Sequence, residues 1–417
     1  LLSYSAAKAR EWNFIRYGSG FLVSSLTDLS NVVLTSGFGT FSKQNLKALD
    51  ATLKGLSNSE IQRTAMALEL LMHNSRNMKV NSTEDLGNML GIGEHGSMKH
   101  YVTSNWDRVS AGLSQTTSTM SGMLWWNTRL KMLAMIEMQH NFVNMAGKYD
   151  GLLAAASAGD KAAENQIAQL ASLGLGADQM RGVQAMLKKH PPEFTAHTPG
   201  DTEGVMELAM DRWLKEGDVG QRAYQDVLNA LQRSANRAVM TPGKGDTPFF
   251  MSTQYGKTLL QFQTYGFAIM NRYMTPAFQR MASYGDMEAF MSLGVGVAMG
   301  SAVVSIKDIL NHGEIKERSL SKWAYDVTDR SGLMAWLSPY FAQGQKALGI
   351  EASSRYSNER DRIALVAGPT GGLAQDVWDL GSAASEGDGD RAWKTAKKLA
   401  PFNMLGKLYN IAVPDGQ

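Results

Sequence analysis

The chain contains no cysteine in 417 residues. That excludes disulfides, thiolate nucleophiles and any zinc site built on sulfur. Because the absence is indifferent to redox state, it does not fix a compartment. Proline is scarce at 10 residues, and the seven histidines are dispersed, whereas a metal site needs clustered ligands. Charge of one sign is also lacking: the formal net charge is +2, too small for a field that draws in nucleic acid. The mean hydropathy of −0.23 is too polar for a multi-span membrane protein. No signal peptide is expected at the start, where Lys8, Arg10 and Glu11 precede any useful apolar run. The chain opens Leu1-Leu2 without an initiator Met and reads as a fragment or processed product, so further functions are expected to lie outside it.

The motifs of several enzyme classes are missing too. No H-E-x-x-H and no G-x-S-x-G occurs. A phosphate loop needs G-x-x-x-x-G-K-[ST], but Ser301 follows Gly300 where Lys belongs, and the run Ala367–Gly372 has no Lys either. Glu137 and His140 form one E-x-x-H on a helix face. A di-iron bundle needs a second copy and two more Glu, and the sequence has no second copy. Glu94, His95 and His100 could hold a cation only weakly. The expectation is no cofactor, no metal and no enzyme within this chain; a soluble helical enzyme with a dispersed site is the remote alternative.

What is present is helical periodicity. Leu46, Leu49, Leu53 and Leu56 recur at 3/4 spacing. Ile61, Met66, Leu68 and Leu71 resume it after a break where Ser57 and Glu60 form a capping box. One long helix is predicted around Met135, Met138, Phe142 and Met145, and a shorter one stops at Pro191-Pro192. Further helices are predicted over 202–217 and 218–240. The run from Gly151 to Gln166 reads as a helix hairpin. No series of alternating strands is evident, so the expected fold is all-α, an extended assembly of helical hairpins and bundles. The 25 methionines read first as core filler and second as surfaces able to repack. The expected domains are an N-terminal helical domain over 1–190, a Pro/Gly-rich linker over 191–204 and a C-terminal helical domain over 205–417. Loops are also expected at 241–248 and 385–390.

Three surfaces stand out as candidates. The run Ala289–Ile306 is uncharged, slightly short for a bilayer span, and carries Ser292, Gly296 and Gly300 at spacing four within a helix expected over 289–310. Such a row lets another backbone approach closely, in a membrane or in a soluble assembly. Upstream, Phe262, Tyr265, Phe267, Tyr273 and Phe278 form an aromatic stretch fit for a membrane or a partner, with Pro276 expected to kink or split it. At the end, a basic helix is expected over 391–410. Arg391, Lys394, Lys397, Lys398 and Lys407 are its candidate DNA or phosphate contacts; a solvated helix face is the plainer reading.

Four stretches carry a resemblance: "FIRYGSGFLVSSLTDLSNVVLTSGFGTF" (14–41), "GDTPFFMSTQYGKTLLQFQTYGFAIMNR" (245–272), "VAGPTGGLAQDVWDL" (366–380) and "AWKTAKKLAPFNMLGKLYN" (392–410). In that order they make the chain resemble the long helical, non-enzymatic part of the largest internal virion (DNA-ejection) protein of short-tailed phages. The resemblance implies a homo-oligomer, packed in the capsid interior with other internal virion proteins and near genomic DNA. It implies release into the host envelope, with host membrane contact, as part of a conduit for the genome. Some members carry a peptidoglycan-cleaving domain at the N-terminus. Nothing here matches it, so such a domain would lie outside this chain. An integral membrane channel-forming protein is the alternative.

Overall fold

The computed structural model describes residues 2–17, 21–53, 122–195, 205–239, 249–253, 264–333 and 359–400, with residues 113 and 256. The described residues form an all-α fold with a single two-stranded sheet. The opening helices are α1 (Leu2–Tyr17), α2 (Phe21–Ser25), α3 (Asp28–Ser36) and α4 (Lys43–Leu53), with a 3₁₀ turn at Phe38–Phe41 before the last. Next come α5 (Met123–Ser157), α6 (Lys161–Ser172), α7 (Ala177–Lys189), β1 (Glu193–Thr195), β2 (Val205–Glu207), α8 (Met210–Trp213) and α9 (Gly217–Ala238). Then follow a 3₁₀ turn at Phe249–Ser252, α10 (Thr264–Ile269), a π turn at Met270–Met274, α11 (Thr275–Tyr284), α12 (Met287–His312), α13 (Leu320–Arg330), α14 (Glu359–Ser385) and α15 (Gly389–Leu399).

The 35-residue helix α5 is the spine. At about 1.5 Å per residue it is roughly 50 Å long. Every residue from Leu130 to Gln139 is buried, because α3, α4, α7 and α9 pack around it. The main core gathers Met132, Met135, Phe142 and Tyr149 of α5 with Leu170, Met180, Val183, Trp213, Val227 and Leu231. In α9, Ala223, Val227, Ala230, Ser234 and Ala238 recur at 3/4 spacing and are all buried, a stripe of one helical face. Six methionines (132, 135, 138, 180, 186 and 210) sit in this core, where flexible thioethers fill uneven gaps between the packed helices.

That core corrects the expected domain boundary. Residues 205–239 pack with 123–187 on the other side of the Pro-rich stretch, so 191–204 connects parts of one core. The helix predicted over 202–217 is also corrected. Val205–Glu207 pairs antiparallel with Glu193–Thr195, matching Phe194 to Met206, and helix resumes only at Met210. Pro191 and Pro192 end α7 and set up the extended approach to that pairing.

Elsewhere the helix signals fall where the periodicity places them. The hairpin between α5 and α6 turns through Ala158–Asp160, with Asp160 accepting from the Ala162 and Ala163 amides. Pro276 lies in the first turn of α11, directly after the π turn, and the helical run continues through 264–284 without a break. The run 367–372 lies inside α14 and not in a loop. The 57–71 capping box and helix, Glu94, His95 and His100, and the 241–248 loop lie outside the described residues.

Candidate functional site

The surface with the most unusual chemistry is α12. Asp286 caps it by accepting from the Glu288 and Ala289 amides, at 2.9 and 3.2 Å. Its far end stops at Gly313, left-handed with φ 81°. There Arg318 joins Asp308 and Asp326, the latter at 2.9 Å, while Lys307 donates to Ser24 at 2.9 Å. Between these polar ends the helix is uncharged, with two unlike faces.

The first face is built of small residues. Ser292 is fully buried, and its carbonyl accepts from the Tyr273 hydroxyl at 2.8 Å. A methyl group at Gly296 would stand 3.3 Å from that hydroxyl and 3.5 Å from Ser30 Cβ. One at Gly300 would stand 2.6 Å from the Val327 carbonyl oxygen and 2.9 Å from Ser331 N, both backbone. The row therefore meets the π turn, α3 and the end of α13 in succession. The second face is open: Met287 is 64% exposed and Phe290 58%, with Met291, Val297 and Ile309 also exposed. A methyl at Gly294 on this side would meet nothing within 4 Å. Among the described residues, Met287–Leu310 is the one helical stretch long and apolar enough to cross a membrane, and it is only 33% buried.

The N-terminal end of α12 enters a polar junction. Arg280 of α11 grips Asp286 through Nε (2.8 Å) and Nη2 (2.6 Å), and also donates to the Leu34 carbonyl. Asn165 of α6 donates to the same carboxylate at 2.7 Å. Burial acts upward on Asp286, but Asn165 and Arg280 outweigh it and hold its pKa below the ordinary carboxylate value. Glu137 of α5 is different. It is 8% exposed and accepts from Asn45 Nδ2. Burial, and then the charge of Glu288, push its pKa up against the effect of Asn45. Glu288 is raised as well, by partial burial and by Asp286, with Arg280 opposing.

The aromatic stretch splits in the structure. Tyr273 is 1% exposed and belongs to the core, which removes it from the expected membrane or partner surface; its hydroxyl is spent on Ser292. Phe267 is half-buried and Phe278 is 49% exposed. Phe262 and the Tyr265 side chain lie outside the description.

In the basic helix, α15 runs to Leu399 and Ala400 leaves it, just before Pro401; Lys407 lies outside the described residues. Arg391 is tied to Glu386 at 2.9 Å and to Asp379 at 3.9 Å, so little of its charge is left for a phosphate. Lys394, Lys397 and Lys398 are exposed, with Lys397 over the Trp393 ring at 5.2 Å. Exposed Trp393 and Trp378 make this hairpin more aromatic on the outside than charge spacing alone suggests.

One contact was not foreseen from sequence. Arg16, 2% exposed, pairs with Asp376 at 2.6 Å and donates to the Lys398 carbonyl at 3.0 Å. It joins α1 to α14 and α15. The only advance signal was an arginine within an otherwise aromatic run.

Glu137 and His140 do not gather further ligands. His140 Nε2 is buried without a hydrogen-bond partner, burial lowers its pKa, and no group of three or more metal-ligating side chains occurs among the described residues. Comparison with known protein families, with curated proteins and with solved structures finds no match for this chain.

Proposed function

We propose that the chain is a structural internal virion protein of a short-tailed phage, without catalytic role over these residues. In this reading it homo-oligomerises in the capsid core beside other internal proteins and the genome. After release it forms part of the conduit that carries DNA across the host envelope. The observation that carries the reading is α12, which docks through small residues while Phe290, Met287 and Met291 stay in solvent. An apolar helix held by one narrow face suits a protein that packs one way in the capsid and another way later. The four resembling stretches support it further. Three of them meet at Arg16, whose side chain reaches Asp376 in the third and the Lys398 carbonyl in the fourth.

The test uses purified virions of the phage encoding the chain. Mass spectrometry should find it in full capsids, and its amount should fall sharply in capsids emptied by triggered ejection. Absence from full capsids, or complete retention in emptied ones, would reject the reading. A channel-forming membrane protein is the second reading, favoured by the length and composition of α12. Liposome flotation with protease protection separates the two. Shielding of 289–306 on synthesis into membranes, without any virion stage, would favour the channel.

A further inference from the structure

The junction under α12 holds three carboxylates, Glu137, Asp286 and Glu288, against one guanidinium. Arg280 turns Nε and Nη2 to Asp286 and donates through Nη1 to the Leu34 carbonyl. The charge of Glu288 acts on Glu137 to favour its protonated form, while Arg280 only partly offsets the raised pKa of Glu288 itself. His140, one turn along α5 from Glu137, adds no cation near neutrality, since burial disfavours its charged form. The 3₁₀ turn brings backbone rather than charge: a methyl at Gly39 would lie 2.5 Å from Glu137 Oε1, and one at Gly37 would lie 3.2 Å from Glu288 Oε1.

A second, independent observation sits at the same place. Asn45, 1% exposed, donates through Nδ2 to Glu137 and, at 2.7 Å, to the Gly39 carbonyl. Its Oδ1 is buried and has no partner. A buried amide oxygen left unpaired is costly. A neutral carboxylic acid facing a primary amide makes two bonds, accepting N–H and donating O–H. A carboxylate can make only the first. A proton on Glu137 would supply the donor that Asn45 Oδ1 lacks.

We propose that this junction is a proton-operated latch. Glu137 holds its proton as a two-bond acid–amide pair with Asn45, and loss of that proton loosens the turn 37–41 and the first turn of α12. The inference rests on the junction's geometry and is independent of the virion reading. The sign follows from linkage. The folded state favours the protonated acid, so stability from this group is fully present below the unfolded carboxylate pKa and is lost as pH rises through the folded one.

The full-length chain serves for the test. Infrared spectroscopy in heavy water should show a protonated-carboxyl stretch that persists above the ordinary carboxylate range, that Glu137→Gln removes and Glu288→Gln retains. Glutamine reproduces the two-bond pair, so Glu137→Gln should fold. Hydrogen exchange of residues 286–290, corrected for intrinsic rates, should accelerate in the parent chain by about tenfold per pH unit above the Glu137 pKa. Glu137→Gln should abolish that dependence, and Glu288→Gln should move it to lower pH, because removing a negative neighbour favours the charged acid; a shift to higher pH would overturn the assignment of the titrating group to Glu137. Absence of the protonated band, or a Glu137→Gln variant that follows the parent's pH course, overturns the proposal.

Discussion

Helices α5 and α12 reverse the usual relation between polarity and burial. Arg129, Lys131 and Glu137 interrupt α5, yet every residue from 130 to 139 is buried. Between Ala289 and Ile306 α12 carries no charge, yet much of it faces solvent. Burial here follows the supply of partner surface. Around residues 130–139 of α5 large side chains on all sides meet neighbouring helices, whereas α12 meets its neighbours along one face, through a row of small residues with Val303 and Val304 beyond it. Two substitutions break the comparison most sharply. Phe142→Ala in α5 empties a site that is 1% exposed and should cost about 3–5 kcal/mol in urea unfolding. Equal losses from Phe142→Ala and Phe290→Ala would mean that the two helices are buried alike.

The next effect lies within α12 itself. Gly300→Ala places a methyl against the Val327 carbonyl and Ser331 backbone, neither of which is a flexible side-chain end. Relief requires moving α13, and the expected loss is about 1–3 kcal/mol. Gly294→Ala has the opposite sign, because its methyl meets nothing within 4 Å. It removes an entropic cost of helical glycine and should gain about 0.5–1 kcal/mol. Thermal melts of the two variants read the difference directly. A loss at Gly294 would place a neighbour on the open face.

Much of the fold was legible because helix periodicity and stop signals are local. Pro191-Pro192 and the Ala158–Asp160 turn mark boundaries that the chain obeys, and Pro276 falls just after a π turn in a continuous helical run. The row Ser292, Gly296 and Gly300 was legible too, since spacing four on a helix defines a face whatever packs there. The strand at Val205–Glu207 was not, because its only reason is pairing with Glu193–Thr195 across the connection. Tyr273 looked like a surface aromatic because sequence shows neither the π turn that carries it nor the Ser292 carbonyl that satisfies its hydroxyl. The same holds for the acidic junction. Glu137 is far in sequence from Arg280 and Glu288, and only the packing of α5 beside α12 brings its charge to bear on theirs.

The smallest expected stability effect is the most telling for function. Phe290→Ser and Met291→Ser change side chains that are 58% and 40% exposed on the open face of α12. Surface changes of this kind normally alter stability by no more than about 0.5 kcal/mol. If the face exists to meet apolar surroundings after the capsid stage, the double variant should fold with an unchanged melting curve and lose association with liposomes in flotation. The small-residue face supplies the control. Gly300→Ala weakens the docking of α12 on α13, so it should increase liposome association while lowering the melting temperature. Opposite movements of stability and membrane association across the two faces are what a helix held on one side and used on the other requires. A double variant that melts early would instead make Phe290 and Met291 part of the fold's own support.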